Sequence, residues 1–165
     1  MKKTTSASID RTPHKLIPAL HKFIENLGTY FESYGVPRIG GRMLGLLMVT
    51  PKPLSAESMS DILKVSRASV SINLRMLLQV GWAEKAFFPG DRTTYYVFPE
   101  NGFEKTLALE IQAMSTLKRF VDQGRNALPP GDAARDRLEV MAHWTDFLIE
   151  VWQKALIEWR ERQGS

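Results

Sequence analysis

Within nine residues the chain gathers two guanidinium groups, two hydroxyls and one carboxamide: Arg67, Ser69, Ser71, Asn73 and Arg75. Arginine and asparagine can pair with the edges of bases, and serine hydroxyls can bond phosphate oxygens. Ser55 and Ser66 stand just upstream, and Arg92 follows in Gly90-Asp91-Arg92. This set suits recognition of a polyanion better than bond-making. There is no cysteine and no triad-like grouping. Gly40-Gly41 lacks the phosphate-loop spacing that ends in Gly-Lys-Ser/Thr, so helix packing is the better reading of that pair. The three histidines, His14, His21 and His143, suggest no third ligand for a metal. No metal and no cofactor are expected.

These side chains need a rigid support, and residues 55–80 supply one as two short helices with a tight turn. Ser55 is a good N-cap, Glu57 falls in the first turn, and Leu54 with Met59 has the spacing of a hydrophobic staple. Met59, Ile62 and Leu63 form the inward face of the first helix. Lys64-Val65-Ser66 is the turn, and Ser66 caps the second helix, where Val65 and Val70 repeat the staple. Val70, Leu74 and Leu77 point inward, which leaves Arg67, Ser69, Ser71, Asn73 and Arg75 as the expected outward face. Ser69 occupies the N3 position where many helices carry Glu, so the helix start stays free of negative charge and suits a phosphate. Gly81 ends this helix. A two-stranded hairpin follows, with Trp82 to Phe88 and Thr93 to Phe98 as strands and Pro89-Gly90-Asp91-Arg92 as the turn. Arg92 at its tip is placed to enter a minor groove.

Around this unit, residues 1–13 read as a flexible polar arm, 14–99 as the recognition domain with its N-terminal helices, and 100–165 as a helical dimerisation region. One helix is expected from His14 up to Gly35-Val36-Pro37, and a second from Arg38 to Val49. Gly41 and Gly45 lie on one face of the second, where another backbone can approach. Arg42 has two readings, a phosphate or an internal carboxylate, and the sequence does not choose. A long helix runs from Phe103 to about Gly124, and Leu128-Pro129-Pro130-Gly131-Asp132 breaks it. The last helix, Ala133 to Arg162, carries the stripe Leu138, Met141, Trp144, Leu148, Trp152, Ala155 and Trp159, with a second row of Val140, Phe147, Val151 and Leu156. A helix of that length, about 45 Å, outruns a small domain, so Leu138, Met141, Trp144, Leu148, Trp152 and Trp159 are the expected dimerisation residues. Trp144, Phe147, Trp152 and Trp159 with Tyr30 and Tyr34 also have the chemistry of an aromatic cage for a quaternary ammonium ligand. A dimer core is the preferred reading.

The 165 residues, 44% hydrophobic and 24% charged, suit a globular protein. The net charge of +4 leans toward an anionic partner, but the excess sits at the N-terminal side: residues 1–54 carry +5, residues 55–98 +1, and residues 132–165 −2. Charge therefore supports nucleic-acid binding only mildly. With no apolar stretch of membrane-spanning length and no apolar segment after the basic Met1-Lys2-Lys3, a cytoplasmic protein without membrane contact is expected.

Five segments in order resemble one family. They are Gly35-Val36-Pro37-Arg38 through Gly41-Arg42-Met43-Leu44-Gly45, Pro53-Leu54-Ser55, Ala68 to Arg75, Gly90-Asp91-Arg92, and Tyr95-Tyr96. Together they resemble the GbsR-like branch of the MarR-type regulators over roughly residues 14–120. The fold expected is mainly α, a winged helix-turn-helix with a two-stranded β wing and long N- and C-terminal dimerisation helices. The resemblance implies a homodimer on palindromic double-stranded DNA, with room for a small-molecule effector of unknown identity. The expected function is a transcriptional repressor and not an enzyme; repressor against activator depends on where the operator lies relative to a promoter, which the sequence does not give. Some relatives of that branch are linked to choline and glycine betaine metabolism. The rival readings are a winged helix used for protein–protein contact, and a small helical enzyme with a buried polar pocket.

Overall fold

A computed structural model describes residues 16–164. The expected arm, residues 1–13, and the first residues of the expected N-terminal helix lie outside them. The elements run α1 (Pro18–Glu32), α2 (Arg38–Val49), β1 (Leu54–Ser55), α3 (Ala56–Leu63), α4 (Arg67–Gln79), β2 (Glu84–Ala86), β3 (Tyr95–Val97), α5 (Gly102–Ala127) and α6 (Ala133–Gln163). The chain is mainly helical, a winged helix-turn-helix with two long C-terminal helices. It divides into two compact units. The first takes in residues up to Met76 and Lys85–Val97, and the second takes in Leu77–Glu84 and residues from Phe98 on.

In the first unit α1 packs along α2. Pro18 opens α1 at a position where no N–H partner is needed, and Gly35, at φ +81°, lets the chain leave it. The close approach depends on glycine. A Cβ at Gly41 would lie 2.8 Å from the Leu27 carbonyl oxygen and 2.9 Å from the Gly28 Cα, so only hydrogen fits. Ile24, Met43 and Leu46 are buried to 1% exposure or less. Each such side chain contributes about 1.5–3 kcal/mol of transfer free energy. Leu54 and Met59 are both buried, as the staple spacing requires.

The expected two-stranded wing, β2 and β3, is joined by a third strand that was not expected, in the order β1-β3-β2. Leu54 and Ser55 pair antiparallel with Tyr96 and Tyr95. Sequence patterning assigns this dipeptide only to the start of α3, and a two-residue strand leaves no alternation to detect. The hairpin strands are also shorter than expected.

The second unit is built on the α5–α6 pair. At its entry α4 ends in a Schellman motif: the Trp82 N–H donates to the Leu77 carbonyl (2.8 Å), the Gly81 N–H to Leu78 (3.3 Å), and Gly81 sits at φ +76°. Between α5 and α6, the Asp132 side chain accepts from the Ala134 N–H (2.7 Å), and Arg135 donates to the Leu128 and Arg125 carbonyls, capping both helix ends at the break. One edge of the pair is ionic: Lys118 to Asp146 (3.0 Å) and Asp122 (3.2 Å), Arg125 to Glu139 (3.1 Å), and Arg160 to Glu104 (2.6 Å). Hydrogen bonding by Asp146 first, and by Asp122 second, holds the Lys118 ammonium above the usual lysine pKa. Between the helices Val121, Ala142 and Thr145 are buried.

Candidate nucleic-acid interface

The helix-turn-helix is fixed at its turn. Ser55 caps α3 by accepting from the Ser58 N–H (3.1 Å). Lys64 closes α3 in the left-handed region at φ 54°, the one such non-glycine among the described residues. The Ser60 hydroxyl donates to the Val65 carbonyl (2.6 Å), which ties the turn to the helix before it. Arg42 reaches the same place from α2. Its Nη2 donates to the Leu63 carbonyl (3.0 Å) while its Nε donates to Glu25 on α1 (2.7 Å), and Arg38 holds the other oxygen of that carboxylate (3.1 Å). Of the two readings of Arg42, the structure gives the internal carboxylate. The side chain is a strut from α1 through α2 to the end of α3.

Ser66 caps α4, accepting from the Ser69 N–H (3.1 Å) and bonding the Ser69 hydroxyl (2.9 Å). The first turn of α4 holds no acidic residue, and Asp and Glu are absent from the whole helix. Val70, Leu74 and Leu77 are buried, as the spacing requires. Arg67, Ser71 and Arg75 are exposed, and Ser69 is half-buried.

Asn73 corrects the expected outward face. It is only 5% exposed, and its Nδ2 donates to the Ser69 carbonyl one turn back (2.8 Å). The reason is the helical period. Asn73 follows Val70 by three residues and precedes Leu77 by four, so it shares their buried face. Its Oδ1 is buried without a hydrogen-bond partner, at the spot where Gly40 would otherwise carry a Cβ. Arg67 is outward but engaged, since it forms an ion pair with Glu57 of α3. Ile72, outside the set of residues expected on the outward face, is 58% exposed there. The helical period is the signal: Ile72 follows Ala68 by four residues and precedes Arg75 by three, off the face of Val70, Leu74 and Leu77.

The wing is ordered by Asp91, whose carboxylate accepts from the Thr93 N–H (2.8 Å) and from the Tyr95 hydroxyl (2.9 Å). The Phe88 and Tyr95 rings meet edge to face at 5.2 Å, and Gly90 turns the chain at φ +80°. Arg92 is exposed next to this anchor. Chemically, α4 and the wing tip offer guanidinium, hydroxyl and apolar groups with the fixed spacing of a well-packed support.

No family model matches the chain. The HTH-type transcriptional regulator MmpR5 of Mycobacterium tuberculosis is 36% identical over 151 residues, which cover 89% of this chain and 90% of that protein. The chain belongs to the HTH-type transcriptional regulators. This regulator is also similar to a solved structure described as a transcriptional regulator, at 34% identity and a TM-score of 0.80 over 87% of this chain and 99% of the other. The HTH-type transcriptional repressor OpcR of Bacillus subtilis is 28% identical over 109 residues, 66% of this chain and 55% of OpcR, so the match spans about half of that relative. The chain is thus a DNA-binding transcriptional regulator with a winged helix-turn-helix.

The expected dimerisation residues divide by exposure. Met141, Trp144 and Trp159 are exposed on α6, with Trp144 at 57%, while Leu138, Leu148 and Trp152 are half-buried. In the second row Val140 is 70% exposed, Phe147 55% and Val151 41%, while Leu156 is half-buried. Trp144 and Phe147 have ring centroids 5.9 Å apart. Among the described residues no group of three or more His, Asp or Glu side chains could hold a metal ion. No helix among them is long and apolar enough to cross a membrane.

Proposed function

We propose that this regulator is a repressor that binds a palindromic operator as a homodimer, one α4 in the major groove of each half-site, and that it lies in the GbsR-like branch of the MarR-type regulators. The observation that carries the reading is the outer face of α4. Arg75 and Ser71 stand exposed there on a helix without a carboxylate, held by buried Val70, Leu74 and Leu77. Arg75 pairs with base edges, Ser55, Ser66, Ser69 and Ser71 meet the phosphate backbone near the helix starts, and Arg92 follows the minor groove. Arg67 joins them by leaving Glu57.

Dimerisation is supported by the apolar outside of the α5–α6 pair. Val140, Trp144, Phe147 and Val151 recur at i, i+4, i+7 and i+11 on the side of α6 turned away from α5. Contiguous apolar surface of this kind marks an interaction site, and a second copy offers the same face. Symmetry then sets the half-sites about one turn of DNA apart. A small-molecule effector belongs to the same reading through the family resemblance. Titration with choline or betaine while Trp fluorescence is followed tests it: no saturable change up to millimolar ligand removes quaternary ammonium compounds from consideration.

The experiment for the DNA reading is selection of bound duplexes from a random pool at moderate salt. An enriched inverted repeat is the expected result, with binding that weakens steeply as salt rises. No retention of DNA even at low salt would instead favour a winged helix used for protein contact.

A further inference from the structure

We infer that Ile72 is a specificity-determining residue, which reads the C5-methyl group of a thymine in each operator half-site. The inference rests on the reading of α4 as the helix that enters the major groove. Ile72 is 58% exposed midway along α4, between Ala68 one turn before it and Arg75 almost one turn after. These three residues, with Ser71, are exposed together, and the opposite face holds Val70, Asn73, Leu74 and Leu77. Ile72 is therefore near the middle of the outer face and not at its edge.

The fold gives no reason for isoleucine there. A β-branched side chain lowers helix propensity relative to alanine, and one left in water gains nothing from burial. The burial of Asn73 sharpens the point. The carboxamide that would read adenine is turned inward onto the Ser69 carbonyl, so Ile72 and Ala68 take the central positions of the face and both are apolar. In the major groove the one apolar feature that distinguishes a base pair is the thymine methyl. A protein partner fits this face less well: no acidic residue is present on α4, and Arg75 lies one turn from Ile72. That charge pattern suits the phosphates on either side of a groove.

The test uses the full-length regulator and the duplex enriched from the random pool. Each thymine is replaced singly by deoxyuridine, which keeps the base pair and removes only the methyl. Wild type should show one thymine in each half-site whose replacement weakens binding about threefold to fivefold, the value of one buried methyl. Ile72→Ala should bind the thymine duplex more weakly and lose the difference between thymine and uracil at that position. Reselection with Ile72→Ala should lose the preference for thymine there, while Ile72→Val keeps it. An enriched motif in which no thymine is sensitive, or in which the sensitivity persists in Ile72→Ala, overturns the inference and leaves the operator reading intact. A pool without any enriched motif overturns both.

Discussion

The unit built on α1–α4 has an interior of large apolar side chains, although Ile17, Tyr30, Tyr34, Ile72 and Phe87 are each more than half exposed. Ile24, Met43, Leu46, Met59 and Val70 are at 1% exposure or less. The α5–α6 pair has no such interior. Across its two helices Val121 and Ala142 are the buried apolar residues, while Phe120, Val140, Trp144, Phe147 and Ile157 are each more than half exposed. Helices of 26 and 31 residues are thus joined through few fully buried side chains, several half-buried ones such as Leu138, Leu148 and Trp152, and an ionic edge, with Phe120, Trp144 and Phe147 outside. The first unit has a large-side-chain core of its own. The second resembles half of a core, which the proposed partner copy would complete. On that proposal one unit is specified by its own interior and the other by association.

The largest effect should come from attacking the outer face of α6. Trp144→Glu with Phe147→Glu places two carboxylates where the proposed partner copy packs, and burying unpaired charge is prohibitive. Sedimentation should then report single chains, and affinity for the selected operator should fall by more than tenfold. A variant that still sediments as a dimer would remove this face from the interface.

The next contrast separates the two units by concentration dependence. Leu46→Ala opens a cavity in a fully buried site and should lower stability by about 2–5 kcal/mol, by a similar amount at any protein concentration. Phe120→Ala removes a ring that is 57% exposed in the single chain. Its destabilisation should come from weaker association, so the shift in urea midpoint should change with protein concentration. Equal, concentration-independent shifts for the two variants would contradict the division drawn here.

A smaller effect tests how the first unit holds its reading helix. Arg42→Gln removes the ion pair with Glu25 and the guanidinium donor to the Leu63 carbonyl, at about 1–3 kcal/mol. Arg42→Lys keeps the charge but not the two-pronged geometry and should recover only part of the loss. Operator affinity measured at a temperature where both variants remain folded should follow the same order. If Arg42→Gln binds as wild type does, the strut supports the fold without positioning α3 and α4.

The helices were legible because their apolar periods are long and their ends are marked. α2 begins at Arg38 and ends at Val49 as read, α6 begins at Ala133, and Gly35 and Gly81 take the positive φ that stops a helix. Where neighbours decide, the reading failed or stayed open. β1 is two residues long and exists only because Tyr95 and Tyr96 lie beside it. Arg42 could not be assigned, because its partner is Glu25, seventeen residues away on another helix. Asn73 and Ile72 are a different case. Their angular positions are fixed by the helical period, and side-chain polarity points the wrong way at both: Asn73 is polar and faces inward, while Ile72 is apolar and faces outward. In a helix that binds DNA, an outward apolar residue is a statement about the ligand.

The smallest effect lies at the turn itself. Lys64 ends α3 with φ 54°, a conformation that crowds the Cβ of an L-residue and costs about 1–2 kcal/mol. Glycine adopts it freely, but its extra freedom in the unfolded chain returns about 0.5–1 kcal/mol. Lys64→Gly should therefore stabilise the first unit by about 0.5–1 kcal/mol, seen as a higher urea midpoint with an unchanged slope. Lys64→Ala is the control, since it removes the long side chain and keeps the Cβ. If both variants raise the midpoint equally, the gain comes from losing the lysine side chain and not from relief of the backbone. If neither does, the left-handed backbone at Lys64 stores no strain that glycine can relieve, and the premise fails.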